Sequence, residues 1–132
     1  MIVAVADTHA VIWYLWDDPR LSTTARAFIE ATAQAGQLVA VSSISLIETV
    51  YLIEKGRVDP ATLSMVLDAF DTDGIFVEQP VDRAIVPSLA AISRLHVPDM
   101  PDRIIAATAT FLGVPLITRD RQIQSSSVTT LW

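Results

Sequence analysis

The chain has 132 residues and a formal net charge of −6, and 52% of its residues are hydrophobic, 18% charged and none cysteine. The net charge excludes a broadly basic surface that would bind nucleic acid by neutralising phosphates, and the lack of cysteine excludes disulfides and thiolate metal sites. The length matches one ordinary domain and no Gly-, Ser- or Pro-rich stretch marks a linker, so we expect a single domain over residues 1–132.

The first half of the chain alternates β-branched runs with helix-like segments. Ser22 is a favoured N-cap residue and Gly36 a favoured helix end, so the segment between them predicts a helix. The predicted elements are a strand at 2–6, a helix from about 8, a helix at 22–36, a strand at 37–43 and a helix from 42 or 43 to 56.

The second half continues this alternation. Pro60 is expected in the first turn of a helix, Pro87 is expected to kink or split a longer one, and Gly113 ends the last. The predicted elements are helices at 60–70, at 81–95 and from about 102 to 112, and strands at 75–79, 114–118 and 127–132. This order predicts an α/β sandwich with a mostly parallel sheet.

Four acids fall where such a fold ends its strands or begins its helices, or within an apolar helix face. Asp7 follows the first strand, Asp120 follows a late strand, and Asp102 stands at the start of the last long helix. Glu48 interrupts an apolar stripe, where an ionised carboxylate is costly. Taken alone, Asp7 and Asp102 are equally well explained as helix-capping acids.

Carboxylates gathered at one edge of a sheet raise one another's pKa values, so shared protons or a divalent cation must neutralise them. Mg²⁺ and Mn²⁺ prefer oxygen ligands, which suits a site without cysteine. A bound cation would also supply the positive charge that this acidic chain lacks. The four acids therefore predict a metal site that acts on a phosphate-containing polymer.

Four stretches of the chain resemble the PIN-domain ribonucleases, and within them the toxin half of bacterial VapBC-type toxin–antitoxin pairs. They are VADTHAVIWYL, VSSISLIETVYLIEKGR, MPDRIIAATATFLGVPLITRD and VTTLW. The resemblance runs over essentially the whole chain and implies a Rossmann-like, three-layer α/β/α sandwich. It also implies a Mg²⁺- or Mn²⁺-dependent endoribonuclease that acts as a toxin, dimerises and binds an antitoxin protein.

The same resemblance assigns roles to single residues. The catalytic and metal-binding acids that it implies are Asp7, Glu48, Asp102 and Asp120. Thr8 and Thr118 match hydroxyl residues that support these acids, and Asp99 is a further candidate for the metal site. Relatives often carry DPFDR where this chain has DMPDR, so the position of Asp99 is the point at which the match departs from the family pattern.

Three arginines lie next to these acids in the sequence. Arg103, Arg119 and Arg121 are candidates for contact with RNA phosphates, although a solvated surface arginine is the commoner case. His9 and His96 are interpreted as a structural residue and a loop residue, because neither matches an acid of the site.

Three aromatic residues close together in the first helix, Trp13, Tyr14 and Trp16, cannot all enter one core. Partial burial explains each of them, and a dimer or antitoxin surface is the functional interpretation. The high apolar fraction also favours such a partner.

The sequence shows no pattern of a membrane span or of a signal peptide. No apolar run reaches the roughly 18 residues of a membrane span, and MIVAVAD lacks the basic start of a signal peptide. We therefore expect a cytoplasmic protein. The alternative function is a catalytically inactive PIN-like module that only binds other proteins.

Overall fold

The structure is a computed structural model, and it describes residues 1–72 and 74–132. The strands of this part of the chain are β1 (Ile2–Ala6), β2 (Leu38–Ser42), β3 (Phe76–Gln79), β4 (Leu116–Ile117) and β5 (Thr130–Leu131). Its helices are α1 (Thr8–Leu15), α2 (Thr23–Gln34), α3 (Ser43–Glu54), α4 (Thr62–Thr72), α5 (Val86–Ala91), α6 (Met100–Leu112) and α7 (Arg121–Gln124).

The strands form one sheet in the order β3-β2-β1-β4-β5, and each neighbouring pair is parallel. The central strand β1 pairs with β2 on one side and with β4 on the other, and Ala6 lies opposite Ile117. The residues that follow these two, Asp7 and Thr118, therefore leave the sheet at the same edge. This edge is where ligands collect in open parallel sheets.

The alternation of side chains along β1 divides the core between the two faces of the sheet. Ala4 and Ala6 pack into one buried cluster, together with Trp13 of α1. Val5 packs into the other cluster, which includes Ile105 of α6. Helices thus cover both faces, as the β-branched, doubly buried strands require. The predicted three-layer α/β/α sandwich with a parallel sheet is confirmed.

The largest difference from the sequence prediction concerns the helix expected at 81–95. Only Val86–Ala91 is helical, and Pro87 lies in its first turn instead of in its middle. The side chain of Asp82 accepts the Ala84 N–H at 2.9 Å and forms a turn before the helix, while Ile92 is extended after it. Leu95, expected on the apolar face, is 90% exposed. A proline without an N–H starts a helix more readily than it continues one.

Other boundaries differ by fewer residues. Helix α4 begins at Thr62, because Pro60 lies in a turn in which the Asp59 side chain accepts the Ala61 N–H at 2.8 Å. The strands predicted at 114–118 and 127–132 shorten to two paired residues each. Helix α7 was not predicted, because four residues are too few to show a helical period. Among the described residues, none of the helices combines the length and apolar character needed to cross a bilayer.

Candidate functional site

Three acids at the ligand-binding edge of the sheet cap helices. Asp7, Asp99 and Asp120 are the N-cap residues of α1, α6 and α7, and each carboxylate accepts the backbone N–H three residues later, at 2.9, 3.2 and 3.0 Å respectively. Each of these bonds uses one carboxylate oxygen. Capping therefore orients the three acids and leaves a second oxygen of each for another partner.

Helix α6 begins at Met100, two residues earlier than the sequence suggested. Its N-cap is Asp99, and Asp102 lies within the first turn. The interpretation of Asp102 as a cap was therefore wrong, because the capping contact runs from Asp99 to the backbone N–H of Asp102. The carboxylate of Asp102 therefore does not cap the helix, and it lines the cleft at this edge of the sheet.

The two hydroxyl residues predicted to support the acids contact them. The buried Thr118 accepts the Asp120 N–H on Oγ1 at 3.0 Å, and its hydroxyl hydrogen bonds with the Asp7 side chain. The buried Thr8 donates to Oε1 of Glu48 at 2.5 Å, and its Oγ1 lies 2.9 Å from Oγ of Ser45. Each threonine thus ties one or two acids to the buried frame of the sheet.

The acids surround one open cleft of about 900 Å³ at this edge of the sheet. The acids that line it are Asp7, Glu48, Asp99, Asp102 and Asp120, and the arginines that line it are Arg20, Arg57, Arg119 and Arg121. The structure therefore brings together all five acids that the sequence singled out. Arg20 and Arg57 were missed, because neither lies near an acid of the site in the sequence.

The acids of the cleft form no ion pair among the residues that the structure describes. Within residues 1–72 and 74–132 the ion pairs join Arg20 to Asp18 at 2.7 Å and Arg26 to Asp17 at 2.9 Å. Neither pair includes an acid of the cleft. The negative charge of the cleft is therefore uncompensated by ion pairing in the part of the chain that the structure describes.

Burial raises the pKa values of three acids of the cleft, and neighbouring carboxylates add to the effect. Desolvation raises the pKa of Asp102 to about 7, and the charges of Asp99, Asp120, Glu48 and Asp7 act in the same direction. Desolvation also raises the pKa of Asp7 to about 6, although hydrogen bonds from Thr118 and from a backbone N–H oppose the shift. The pKa of Glu48 is raised as well, first by desolvation. Clefts with several raised carboxyl pKa values are typical of functional sites.

Hard divalent cations fit the donors of this cleft, since all five acids offer oxygen ligands without a competing ion pair. In the described part of the chain, no three carboxylate or imidazole side chains are grouped so as to hold an ion as they stand. Mg²⁺ commonly binds one or two carboxylates and keeps several waters, so the donor set does not require three preassembled ligands.

Three further residues that the sequence analysis weighed are Arg103, His9 and His96. Arg103 lies outside the cleft lining, because its Nε donates to the Ile92 carbonyl and one Nη to the Leu89 carbonyl, both at 3.1 Å. Its expected role in RNA contact is therefore replaced by one in holding α5 to α6. His9 lines the cleft beside Trp13, with ring centroids 5.3 Å apart, and desolvation lowers its pKa. His96 lies in the loop between α5 and α6, as predicted.

The three aromatic residues of α1 differ in burial. Trp13 is 6% exposed and forms part of the cleft wall, whereas Trp16 is 41% exposed. The indole N–H of Trp16 donates to Oγ1 of Thr62 at 3.1 Å and so ties α1 to α4. Tyr14 is half-buried, with its ring edge-on to Phe76.

Comparison with solved structures finds the same fold in toxin–antitoxin proteins. A VapBC2 structure from Rickettsia felis bound to a promoter DNA fragment matches with a TM-score of 0.72 at 16% identity, over 98% of both chains. A toxin–antitoxin complex from Klebsiella pneumoniae matches with a TM-score of 0.66 at 22% identity, over 98% of this chain and 96% of the other. At these identities the likeness concerns the fold.

Comparison of sequences gives the family. Ribonuclease VapC22 of Mycobacterium tuberculosis is 28% identical in an alignment of 130 residues, and the match covers 95% of this chain and 92% of that protein. The family model described as PIN domain matches residues 4–126, which include all five cleft acids. Since that match covers most of the sequence, the chain belongs to the PIN domain family.

Proposed function

We propose that the protein is an endoribonuclease that acts as the toxin of a toxin–antitoxin pair, and that residues 1–132 form one PIN domain. The observation that carries this proposal is the cleft of five carboxylates without an ion pair, placed at the sheet edge where ligands bind. The likeness to Ribonuclease VapC22 supports the choice of RNA as substrate.

The proposed catalytic residues are Asp7, Glu48, Asp102 and Asp120, which would hold Mg²⁺ or Mn²⁺, with Asp99 as a further ligand. The chemistry that the bound ion supplies is activation of water and neutralisation of charge on the phosphodiester. Capping fixes the carboxylates of Asp7 and Asp120, and Thr8 fixes that of Glu48. With a pKa of about 7, Asp102 is about half protonated at neutral pH in the free cleft, and it would have to lose that proton to hold the ion.

The test is cleavage of total RNA by purified protein in Mg²⁺ or Mn²⁺, compared between the wild type and the Asp7→Asn and Asp102→Asn variants. Asn retains the cap at residue 7, so folding is preserved while the ligand charge is lost. We expect each variant to lose at least about 100-fold in rate, in line with the charge stabilisation that a catalytic ion provides. Asp59→Asn, a turn acid outside the cleft, is the matched control. If a variant with both Asp7→Asn and Asp102→Asn cleaved RNA as fast as the wild type, the assignment would be refuted.

The second candidate function is a PIN module that binds proteins without catalysis. The observation in its favour is that no three metal-binding side chains of residues 1–72 and 74–132 are already grouped around an ion position. Calorimetric titration with Mn²⁺ separates the two functions. A folded protein that takes up no Mn²⁺ and leaves RNA intact would be such a module.

We further propose a homodimer that binds an antitoxin protein in the cytoplasm. Exposed apolar side chains support a protein partner: Ile47 and Tyr51, one turn apart on α3, are 54% and 60% exposed. The two solved relatives described above are toxin–antitoxin assemblies, which supports the nature of that partner. Light scattering of the purified chain, repeated for Tyr51→Glu, tests the dimer. A monomeric wild type would contradict it.

A further inference from the structure

Two arginine side chains lie over the indole ring of Trp13 on the wall of the cleft. The guanidinium carbon of Arg119 lies 4.8 Å from the centre of the indole ring, and that of Arg20 lies 5.0 Å from it. Trp13 itself is held in the core and meets the ring of Trp132 edge-on at 6.0 Å. We call Trp13, Arg20 and Arg119 the tryptophan–arginine cluster.

The cluster stands on the segments that carry two of the cleft acids. Arg119 lies between Thr118 and Asp120, and Trp13 belongs to α1, whose N-cap is Asp7. All three members of the cluster line the same cleft as these acids. A ligand bound to the cluster is therefore a direct neighbour of the acidic site.

The two arginines differ in how many donors they keep for a ligand. Arg20 uses its Nε and one Nη to bind the carboxylate of Asp18, at 3.0 and 2.7 Å. In residues 1–72 and 74–132, the guanidinium of Arg119 makes no hydrogen bond and no ion pair. With Asp18 counted, the cluster has a net charge of +1, and the charge of Arg119 also acts on Asp7, whose pKa it lowers.

A guanidinium within about 6 Å of the centre of an indole ring is attracted by the negative face of that ring. Because the guanidinium of Arg119 has no other hydrogen bond or ion pair among the described residues, its planar N–H groups are free to bind an anion with two parallel hydrogen bonds. Arg119 is therefore positioned to bind a phosphate, and Arg20, which already binds Asp18 through two of its nitrogens, adds the donors that it has left.

We propose that the tryptophan–arginine cluster binds the RNA phosphate adjacent to the one that is cleaved, with Arg119 as the main contact and Arg20 as the second. This inference rests on the function proposed above and adds to it the residues that hold the strand beside the acids. The cluster binds the backbone and contributes little to the reading of bases. It accordingly acts on the KM for RNA more than on kcat.

The test measures binding of a short fluorescent single-stranded RNA in Mg²⁺ as a function of salt concentration, in an Asp7→Asn background that prevents cleavage. Arg119→Ala is expected to weaken binding about 3- to 10-fold and to lower the slope of log K against log salt by roughly 0.7, the value for one single-strand phosphate contact. Arg20→Ala is expected to act in the same direction with a smaller effect. Arg119→Lys keeps the positive charge but loses the planar fork of N–H donors. We therefore expect it to bind RNA more tightly than Arg119→Ala and less tightly than the wild type.

Arg94→Ala is the control, since Arg94 is an exposed arginine outside the cleft lining. A change in stability alone leaves the salt slope unaltered, so this readout separates phosphate binding from a structural role. If Arg119→Ala and Arg20→Ala bind RNA like Arg94→Ala while Asp7→Asn still abolishes cleavage, the cluster proposal fails and the proposed function stands. If the wild-type protein neither binds nor cleaves RNA, the proposed function fails and the cluster proposal falls with it.

Discussion

The hydroxyl of Thr118 accepts the backbone N–H of Asp120 at 3.0 Å and also hydrogen bonds with the side chain of Asp7. One fully buried oxygen therefore joins two acids that are more than a hundred positions apart in the sequence. Parallel pairing of β1 with β4 makes this contact possible, because it sets the ends of both strands side by side.

Replacement of Thr118 by Val removes this shared hydroxyl without changing the volume of the side chain. We expect a loss of roughly 1–3 kcal/mol in the free energy of unfolding, because buried polar groups lose their partner. We also expect a fall of roughly 10- to 100-fold in RNA cleavage, as is usual when an oriented metal ligand loses its support. Urea unfolding and cleavage kinetics measure the two effects. Thr118→Ser, which retains the hydroxyl, should recover most of both, and a Ser variant as poor as Val would contradict the role of the hydroxyl.

Asp102→Asn should stabilise the metal-free protein at high pH. The pKa of Asp102 is about 7 in the folded chain and 3.8 as an ordinary side chain, so between these pH values the folded state binds more protons than the unfolded state. The free energy of unfolding of the wild type therefore falls as pH rises through this range. The neutral Asn avoids that loss, which we put at about 1 kcal/mol after allowance for solvent screening.

Thermal unfolding in a chelating buffer checks this expectation. The melting temperature of Asp102→Asn should exceed that of the wild type at pH 8 and approach it at pH 4. A variant that is less stable than the wild type at pH 8 would show that the charge of Asp102 is compensated in the metal-free cleft.

Binding of Mn²⁺ should release protons and strengthen with pH. Asp7 and Asp102 have pKa values of about 6 and 7, so each is partly protonated at or below neutral pH and must ionise to become a ligand. We expect the apparent affinity for Mn²⁺ to rise from about pH 5 to pH 8 and then level off. At a Mn²⁺ concentration of 100 times Kd, the free energy of unfolding should increase by about 2.7 kcal/mol. Calorimetry in buffers of different ionisation enthalpy counts the protons. Asp7→Asn should release fewer, and binding heats that are independent of buffer would contradict the prediction.

Arg103→Ala tests whether this arginine is structural. Its two hydrogen bonds to the carbonyls of Leu89 and Ile92 join α6 to the end of α5. We expect the variant to lose roughly 1–3 kcal/mol of stability, the usual cost of leaving such carbonyls without a donor. The salt slope of RNA binding should not change, because the side chain is used within the fold. Arg94→Ala serves again as the control, and a reduced slope for Arg103→Ala would restore its role as a phosphate contact.

The local sequence pattern was sufficient to predict most of the helices and strands and the acids that line the cleft. The buried strands appear as β-branched runs, and the helices begin at Ser or Asp and end at Gly; Gly113, for example, adopts the left-handed φ of +68° that closes α6. The prediction failed at 81–95, where the apolar period continued past the point at which Pro87 starts a new helix. It also missed α7, although Asp120 as an N-cap was a usable signal.

The sequence by itself determined which acids stand at strand and helix ends, that a metal site in this cysteine-free chain would have no thiolate ligand, and which family pattern the chain follows. Capping, turns and periodicity act within about four residues, so they can be inferred from neighbours along the chain. The cap of α6 by Asp99 in place of Asp102 is such a local contact, although the sequence prediction missed it. Only the tertiary structure decided that Arg103 binds carbonyls and that Arg20 and Arg119 lie over the ring of Trp13. These contacts depend on how helices and strands pack, and the packing free energy is shared among many weak contacts that no short stretch of sequence displays.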